Sequence, residues 1–343
     1  MAVDLPSAPR TAWSLTPGSA GHEVQCRGII EALGIEPVLK RVSPSPPWSW
    51  LAPWGPAQPN ASIAPPWPDL VVVSGRQAIP YARHIRRASR ARTFVLALQN
   101  PVVSPSQFDL VWVNEHDGIS GPNVVRTLTS PNTLTPTRLV EGAARFSPLW
   151  QSLPRPWIGV IVGGASGAYR FEAADADRLG KTLAAIARTT GGSLIVTPSR
   201  RTGAAPLAAL KTALGATPSW VWDLETGENP YFGILGAADR FIVTCDSVNM
   251  LGEAAFTGKP IHAWKLEGGS SKFNAFHEGM IASGAMRWLD WPPTGASESA
   301  SQEQSASVAL AAWTYHPLNA NAVVVDAVRR AFAERAGRRG AAA

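Results

Sequence analysis

"FIVTCDSVNMLGEAAFTGKP", residues 241–260, is the stretch on which the reading of this chain turns. Apolar Phe241, Ile242 and Val243 stop at Thr244-Cys245-Asp246-Ser247, and a helical pattern begins. At 100° per residue, Asp246, Asn249, Met250 and Glu253 fall on one side of that helix, with Val248, Leu251 and Ala255 opposite. A strand feeding directly into an amphipathic helix is the repeating unit of a parallel α/β sheet. Asp246 or Ser247 can cap the helix. Capping does not explain Glu253, two turns in. A carboxylate at a strand's end suits a pair of ribose hydroxyls; an exposed acidic face is the plain alternative.

The same unit recurs on both sides. Upstream lie strand "WIGVIVGG" (157–164), a helix from Glu172, strand "SLIVT" (193–197), helix "PLAALKTALG", strand "WVWD" (220–223) and helix "NPYFGILGAAD", with Asn229 as its cap and Pro230 in its first turn. The first half reads likewise. Strands are expected at 11–15, 69–75, 93–99, 109–114 and 123–128, with "EPVLKRV" as another, and a helix closes at Gly34. Continuous apolar strands suit a parallel sheet covered on both faces. The expectation is an α/β protein of two Rossmann-like, doubly wound domains, spanning 1–150 and 151–316. A last helix in 317–343 is placed to pack on the first domain. Residues 43–68 form a Pro/Trp-rich excursion in which proline excludes regular structure. Its tryptophans read as a packed surface excursion or as a docking edge. The stretch 292–307 reads as a flexible connection.

With 343 residues, 45% of them hydrophobic, the chain can bury two cores. No apolar run approaches the roughly 20 residues of a membrane span. Two cysteines without paired spacing argue against a disulfide framework or zinc site, so the cytoplasm is the expected location. A formal charge of +6 favours anionic partners such as phosphates or acidic lipid. Nucleic acid lacks a supporting motif. The basic stretches at 83–92 and the C-terminus read as solvated faces or as patches for acidic phospholipid, which would add peripheral attachment at the inner membrane face.

Several strand-end stretches carry candidate chemistry. Gly18, Gly21 and His22 lie between the first strand and helix. The stretch cannot be a dinucleotide fingerprint, because Thr16 stands where its first glycine belongs. A phosphate seat and a plain tight turn both fit. Gly163, Gly164, Ser166 and Gly167 repeat the arrangement in the second half without a Walker lysine. Ser199, Arg200 and Arg201 follow another strand, where two guanidiniums suit a diphosphate. His116 and Asp117 fit an acid/base pair or a strand-end turn, and a metal site poorly.

Taken in order, "WSLTPGSAGHEVQCRGIIEALG", "VVSGRQAIPYARHIRR", "NEHDGISGPNV", "VTPSRRT", "GENPYFGILGAADRFIVTCDSVNMLGEAAFTGKP" and "SKFNAFHEGMIASGAMRW" resemble the bacterial branch of the "elongated mitochondria" fission-protein family, over roughly residues 11–290. That family in turn resembles GT-B glycosyltransferases, whose C-terminal Rossmann-like domain holds the nucleotide. The resemblance implies a diphosphate at Gly163, Gly164, Ser166 and Gly167, and a ribose at Glu253. Lys272 and Asn274 echo the family's sugar-binding motif without its glutamine. The implied activity is a metal-independent glycosyltransfer from a nucleotide-diphosphate sugar, a UDP-sugar first, to a lipid-linked or other acceptor held by the first domain, with no obligatory cofactor. A nucleotide-sugar 2-epimerase and a non-catalytic membrane adaptor are the alternatives. Base, sugar, acceptor and oligomeric state stay open.

Overall fold

A computed structural model describes residues 8–290, 310 and 312–340. The expected connection at 292–307 lies outside the described residues. The chain divides into two compact units, Met1–Thr133 with Asn319–Ala343, and Leu134–Leu318.

In the first unit the strands are β1 (Ala12–Thr16), β2 (Pro37–Arg41), β3 (Leu70–Ser74), β4 (Phe94–Leu98), β5 (Leu110–Asn114) and β6 (Val124–Thr127). All pair in parallel, in the order β2-β1-β3-β4-β5-β6. Alternation along β3 sends Val71 and Val73 to one core and Leu70 and Val72 to the other, as a sheet covered on both faces requires. Around the sheet stand α1 (Ala20–Ala32), the single turn α2 (Trp48–Leu51) and α3 (Ile79–Ala88). The turn α2 lies inside the proline-rich excursion, where no regular structure was expected. Pro47 precedes it, where a missing N–H costs nothing. Ile63 and Trp67 anchor the excursion, with Trp67 edge-on to Trp13 at 6.0 Å.

The second unit opens with α4 (Pro136–Phe146) and continues with β7 (Trp157–Val162), α5 (Ala173–Thr190), β8 (Ser193–Pro198), α6 (Ala204–Leu214), β9 (Ser219–Val221), α7 (Tyr231–Ala237), β10 (Arg240–Thr244), α8 (Val248–Ala255), β11 (Ile261–Trp264), α9 (Ser271–Ala282) and β12 (Met286–Trp288). Its order, β12-β11-β10-β7-β8-β9, is the Rossmann order with the reversal between β7 and β10. The expected boundary at residue 150 lies inside this unit. Trp150 is fully buried against Trp157 and Trp220, so the prolines around it mark a packed turn. A Cβ on Gly236 would lie 2.1 Å from the Leu139 carbonyl oxygen and one on Gly142 2.8 Å from the Phe232 carbonyl carbon. Glycine thus lets α4 and α7 pack backbone to backbone.

The last helix, α10 (Ala320–Gly340), belongs to the first unit. Val324, Val328 and Phe332 join Cys26, Ile29, Ile30 and Phe94 in one core. Asn321 fastens its start, donating to the Asn132 and Gly28 carbonyls at 2.7 and 3.2 Å and accepting from the Asn132 N–H at 3.0 Å. Among the described residues, no helix is long and apolar enough to cross a membrane.

Candidate functional site

Open α/β sheets bind ligands outside the carboxyl ends of their strands, where the strand order reverses. In the second unit that point is occupied by the glycine loop after β7 and the β10–α8 turn. Thr244 Oγ1 accepts the Gly163 N–H at 2.7 Å and donates to Asp246 Oδ1 at 2.6 Å. Asp246 Oδ2 accepts the Gly164 N–H at 3.0 Å and pairs with Arg201 Nη2 at 2.7 Å. The Asp246 side chain is wholly buried. Asp246 is therefore a clamp joining three strand ends, which corrects its placement on the ligand-facing side of the helix. It precedes α8, and burial of a fully partnered carboxylate decides its direction.

The two arginines separate in the same way. Arg201 faces inward, to Asp246 and to the Gly164 carbonyl at 3.1 Å. Arg200 is exposed and lines a cleft of about 450 Å³ with Ile161, Thr197, Pro198, Ser199, Trp222, Leu224, Asn229, Tyr231 and Met250. Only Arg200 of the expected pair thus faces the cleft.

Gly163 and Gly164 are small because protein atoms crowd them. A Cβ would stand 2.1 Å from Asp246 Oδ1 in the first and 2.0 Å from the Arg201 carbonyl oxygen in the second. Ser166 folds the loop tip by accepting the Ala168 and Tyr169 N–H groups at 3.3 and 3.2 Å. Gly167 is exposed with open space around it. Ser199 accepts the Arg201 N–H at 3.2 Å, and Asn229 accepts the Tyr231 N–H at 3.0 Å, so both lining residues also shape their own turns. Ser247 caps α8 by accepting the Met250 N–H at 3.3 Å. Asn249 stands exposed on the first turn.

Glu253 does not line the cleft. Its Oε2 accepts the Tyr231 hydroxyl at 2.6 Å, and Tyr231 is the one that lines it. Burial pushes the Glu253 carboxyl up to about 7, against the lowering pull of that hydrogen bond. Burial and the neighbouring carboxylate raise the Tyr231 phenol well above its ordinary range. Trp222, Leu224 and Tyr231 were not among the expected site residues. Nothing in their local pattern sets them apart from core aromatics and aliphatics.

Lys272 and Asn274 lie exposed on the first turn of α9. The glycine loop reaches this helix through Gly269 N–H to the Ala168 carbonyl at 2.7 Å and through Tyr169 edge-on to Phe273 at 4.9 Å. Two expected stretches, 163–169 and 268–274, are thus neighbours.

The first unit reverses its order beside β1, whose neighbours are β2 and β3. Gly18 sits there at φ +95°, and Gly75, after β3, at φ +97°. A Cβ on Gly75 would lie 2.9 Å from His22 Nδ1, which shares a hydrogen bond with Ser19 Oγ at 2.8 Å. Burial lowers the His22 pKa, keeping the ring neutral. Gly21 is exposed beside it. His116 and Asp117 occupy a 3-10 turn after β5. With β3 and β4 between, β1 and β5 are three strand spacings apart, roughly 14 Å.

A model described as "Mitochondrial fission ELM1" matches residues 20–332. The mitochondrial fission protein ELM1 of Arabidopsis thaliana is 27% identical over 292 residues, covering 78% of this chain and 65% of the relative. The match thus spans just under two thirds of that curated protein's length. Among solved structures, the UDP-GlcNAc 2-epimerase from Methanocaldococcus jannaschii aligns with TM-score 0.56 and 12% identity, over 93% of this chain and 99% of that one. That likeness is one of fold: two Rossmann-like domains, each built on a parallel sheet. By the match over 20–332, the chain belongs to the mitochondrial fission ELM1 family.

Proposed function

We propose that the second unit binds a nucleotide-diphosphate sugar and that the chain is a glycosyltransferase acting on it. The observation that carries this reading is the cleft at the carboxyl ends of β7, β8 and β9, beside the β7/β10 reversal. Trp222, Leu224 and Met250 offer apolar surface for a base. Arg200, with its charge turned outward, meets the diphosphate beside the exposed loop tip at Gly167. The N–H groups at the start of α8 add to the field that a leaving diphosphate needs, so no metal is invoked. Tyr231, backed by Glu253, is the group nearest the expected ribose contact, and Lys272 and Asn274 flank the glycine loop on the sugar side.

In the reaction, the bond from the anomeric carbon to the diphosphate oxygen breaks and an acceptor oxygen takes its place. The acceptor's proton passes to a base. His22, neutral through burial, is the candidate in the first unit. An epimerase, the second reading, would use His22 with Glu115, His116 or Asp117 as an acid/base pair.

Calorimetric titration with UDP-, GDP-, CDP- and dTDP-sugars tests the reading. One series is expected to bind, and Arg200→Ala to weaken it by tenfold or more, as for a charge-assisted hydrogen bond. If none of the four binds the wild-type chain, transferase and epimerase fall together.

A further inference from the structure

A second concavity lies in the first unit, away from any strand-order reversal. Arg83, Arg86, Arg87 and Arg90, with Ala91 and Gln107, line a cleft of about 530 Å³. Arg83 and Arg87 stand at i and i+4 on one face of α3, and Arg90 follows just past its end. Asp109 pairs with Arg86 at 3.3 Å and is shared with Arg335 at 4.0 Å. Among the described residues, no ion pair reaches Arg83, Arg87 or Arg90. Four guanidiniums thus line one hollow, and of these only Arg86 has an ion-pair partner among the described residues. Gathering like charges this way raises the free energy of the empty cleft and lowers that of one holding an anion.

The lip of the cleft is strained. Arg90 and Ala91 are consecutive non-glycine residues at φ 52° and 54°, in the left-handed region. Arg335 donates to the carbonyls of Ala91 and Arg92 and so holds the strained turn in place. Strained backbone of this kind collects at ligand clamps.

Beside the cleft stands an apolar edge. Arg83 Nη1 donates to the carbonyls of Pro53 and Trp54 at 2.9 and 3.0 Å, which joins the lining directly to the proline-rich excursion. Arg76 holds the same segment, donating to the Ala52 carbonyl at 2.6 Å and lying 5.6 Å from the Trp54 ring centre. On this edge Trp50 is 73% exposed, Trp54 61% and Leu51 49%. A soluble phosphate has no use for three large apolar side chains held in water. A bilayer surface does, because indole rings settle at headgroup level while arginines meet the phosphates.

We propose that this face docks on an anionic bilayer, with a lipid phosphate headgroup in the arginine cleft and Trp50, Leu51 and Trp54 in the headgroup layer. The proposal is independent of nucleotide binding in the second unit.

Sedimentation of the full chain with vesicles tests it, comparing phosphatidylcholine alone with a mixture containing phosphatidylglycerol. Binding to the anionic vesicles alone is expected. Arg87→Ala with Arg90→Ala should weaken it by roughly tenfold or more, and Trp50→Ala with Trp54→Ala should weaken it at unchanged charge. Both pairs are exposed, and circular dichroism checks that they fold. Equal binding to both vesicle types, wild-type binding by the arginine pair, or no sedimentation at all would overturn the proposal. So would stabilisation by inorganic phosphate without vesicle binding, which would make the cleft a site for soluble phosphate.

Discussion

Arg200 and Arg201 are adjacent in sequence and opposite in role. Arg201 Nη2 neutralises a carboxylate that has no access to water, so Arg201→Ala leaves Asp246 charged, buried and short of one partner. A loss of about 2 kcal/mol in folding stability is expected, discounted because the guanidinium itself is partly exposed. Arg200→Ala should change stability by no more than about 0.5 kcal/mol and fall instead on nucleotide-sugar affinity. Thermal unfolding alongside ligand titration of both variants separates the roles, and the reverse pattern would sink the assignment. Glu253 makes a second residue-scale claim. Burial lifts its carboxyl from 4.5 to about 7, so within that window the folded chain keeps a proton that the unfolded chain releases. Stability is therefore full at the acid end and is lost as pH rises through about 7. Glu253→Gln preserves an acceptor for Tyr231 and removes the titration. Its advantage over wild type should grow between pH 5.5 and 8, reaching about 2 kcal/mol. Urea unfolding across that range checks it, and a pH-independent difference would show that the carboxyl is not held neutral.

Among elements, the glycine loop shows what local pattern can convey. Its first two glycines answer to contacts with Asp246 and the Arg201 main chain, and its last to none. Gly163→Ala and Gly164→Ala should each cost roughly 3 kcal/mol by overpacking, while Gly167→Ala should cost less than about 0.5 kcal/mol. Denaturant midpoints of the three variants decide it. Equal costs would mean that the loop's glycines serve the backbone alone. The strands and most helices were legible because period and burial agree along them: β3 and β7 read as apolar runs and are buried throughout. The strand ends were legible as places, since Gly163, Ser199, Asn229 and Met250 were each picked out by position after a strand or in the first turn of a helix. Their division of labour was not. Whether Asp246 faces a ligand or a neighbouring strand end depends on Thr244, Gly164 and Arg201, which stand 2, 82 and 45 residues from it in the chain. No period records such partners. Tyr231 stayed hidden for the same reason, because its role comes from Glu253, 22 residues on.

At the scale of the whole molecule, the chain's path decides what each unit contains. The sequence suggested a boundary at residue 150, yet Trp150 lies in the core of the second unit, and α4 ahead of it packs there through glycine contacts. Conversely, the first unit is incomplete until the chain returns to it at α10. The core face of α1 holds Cys26, Ile29 and Ile30, all fully buried, and Val324, Val328 and Phe332 share that core. Phe332 stacks on Phe94 of β4 at 4.6 Å. Val328 has no exposed surface and sits in an apolar core with Cys26, Ile29, Ile30 and Phe94, so Val328→Asp would place a carboxyl group among hydrocarbon side chains. A loss of more than about 3 kcal/mol is expected in the first unit. Hydrogen exchange on the full-length variant reads this directly. Amides of β1 and β4 should exchange faster by at least tenfold, because α1 can no longer close over the sheet. Unchanged protection at Ala12–Thr16 and Phe94–Leu98 would mean that the first unit's sheet stands without its returning helix, and that the C-terminal segment is an appendage.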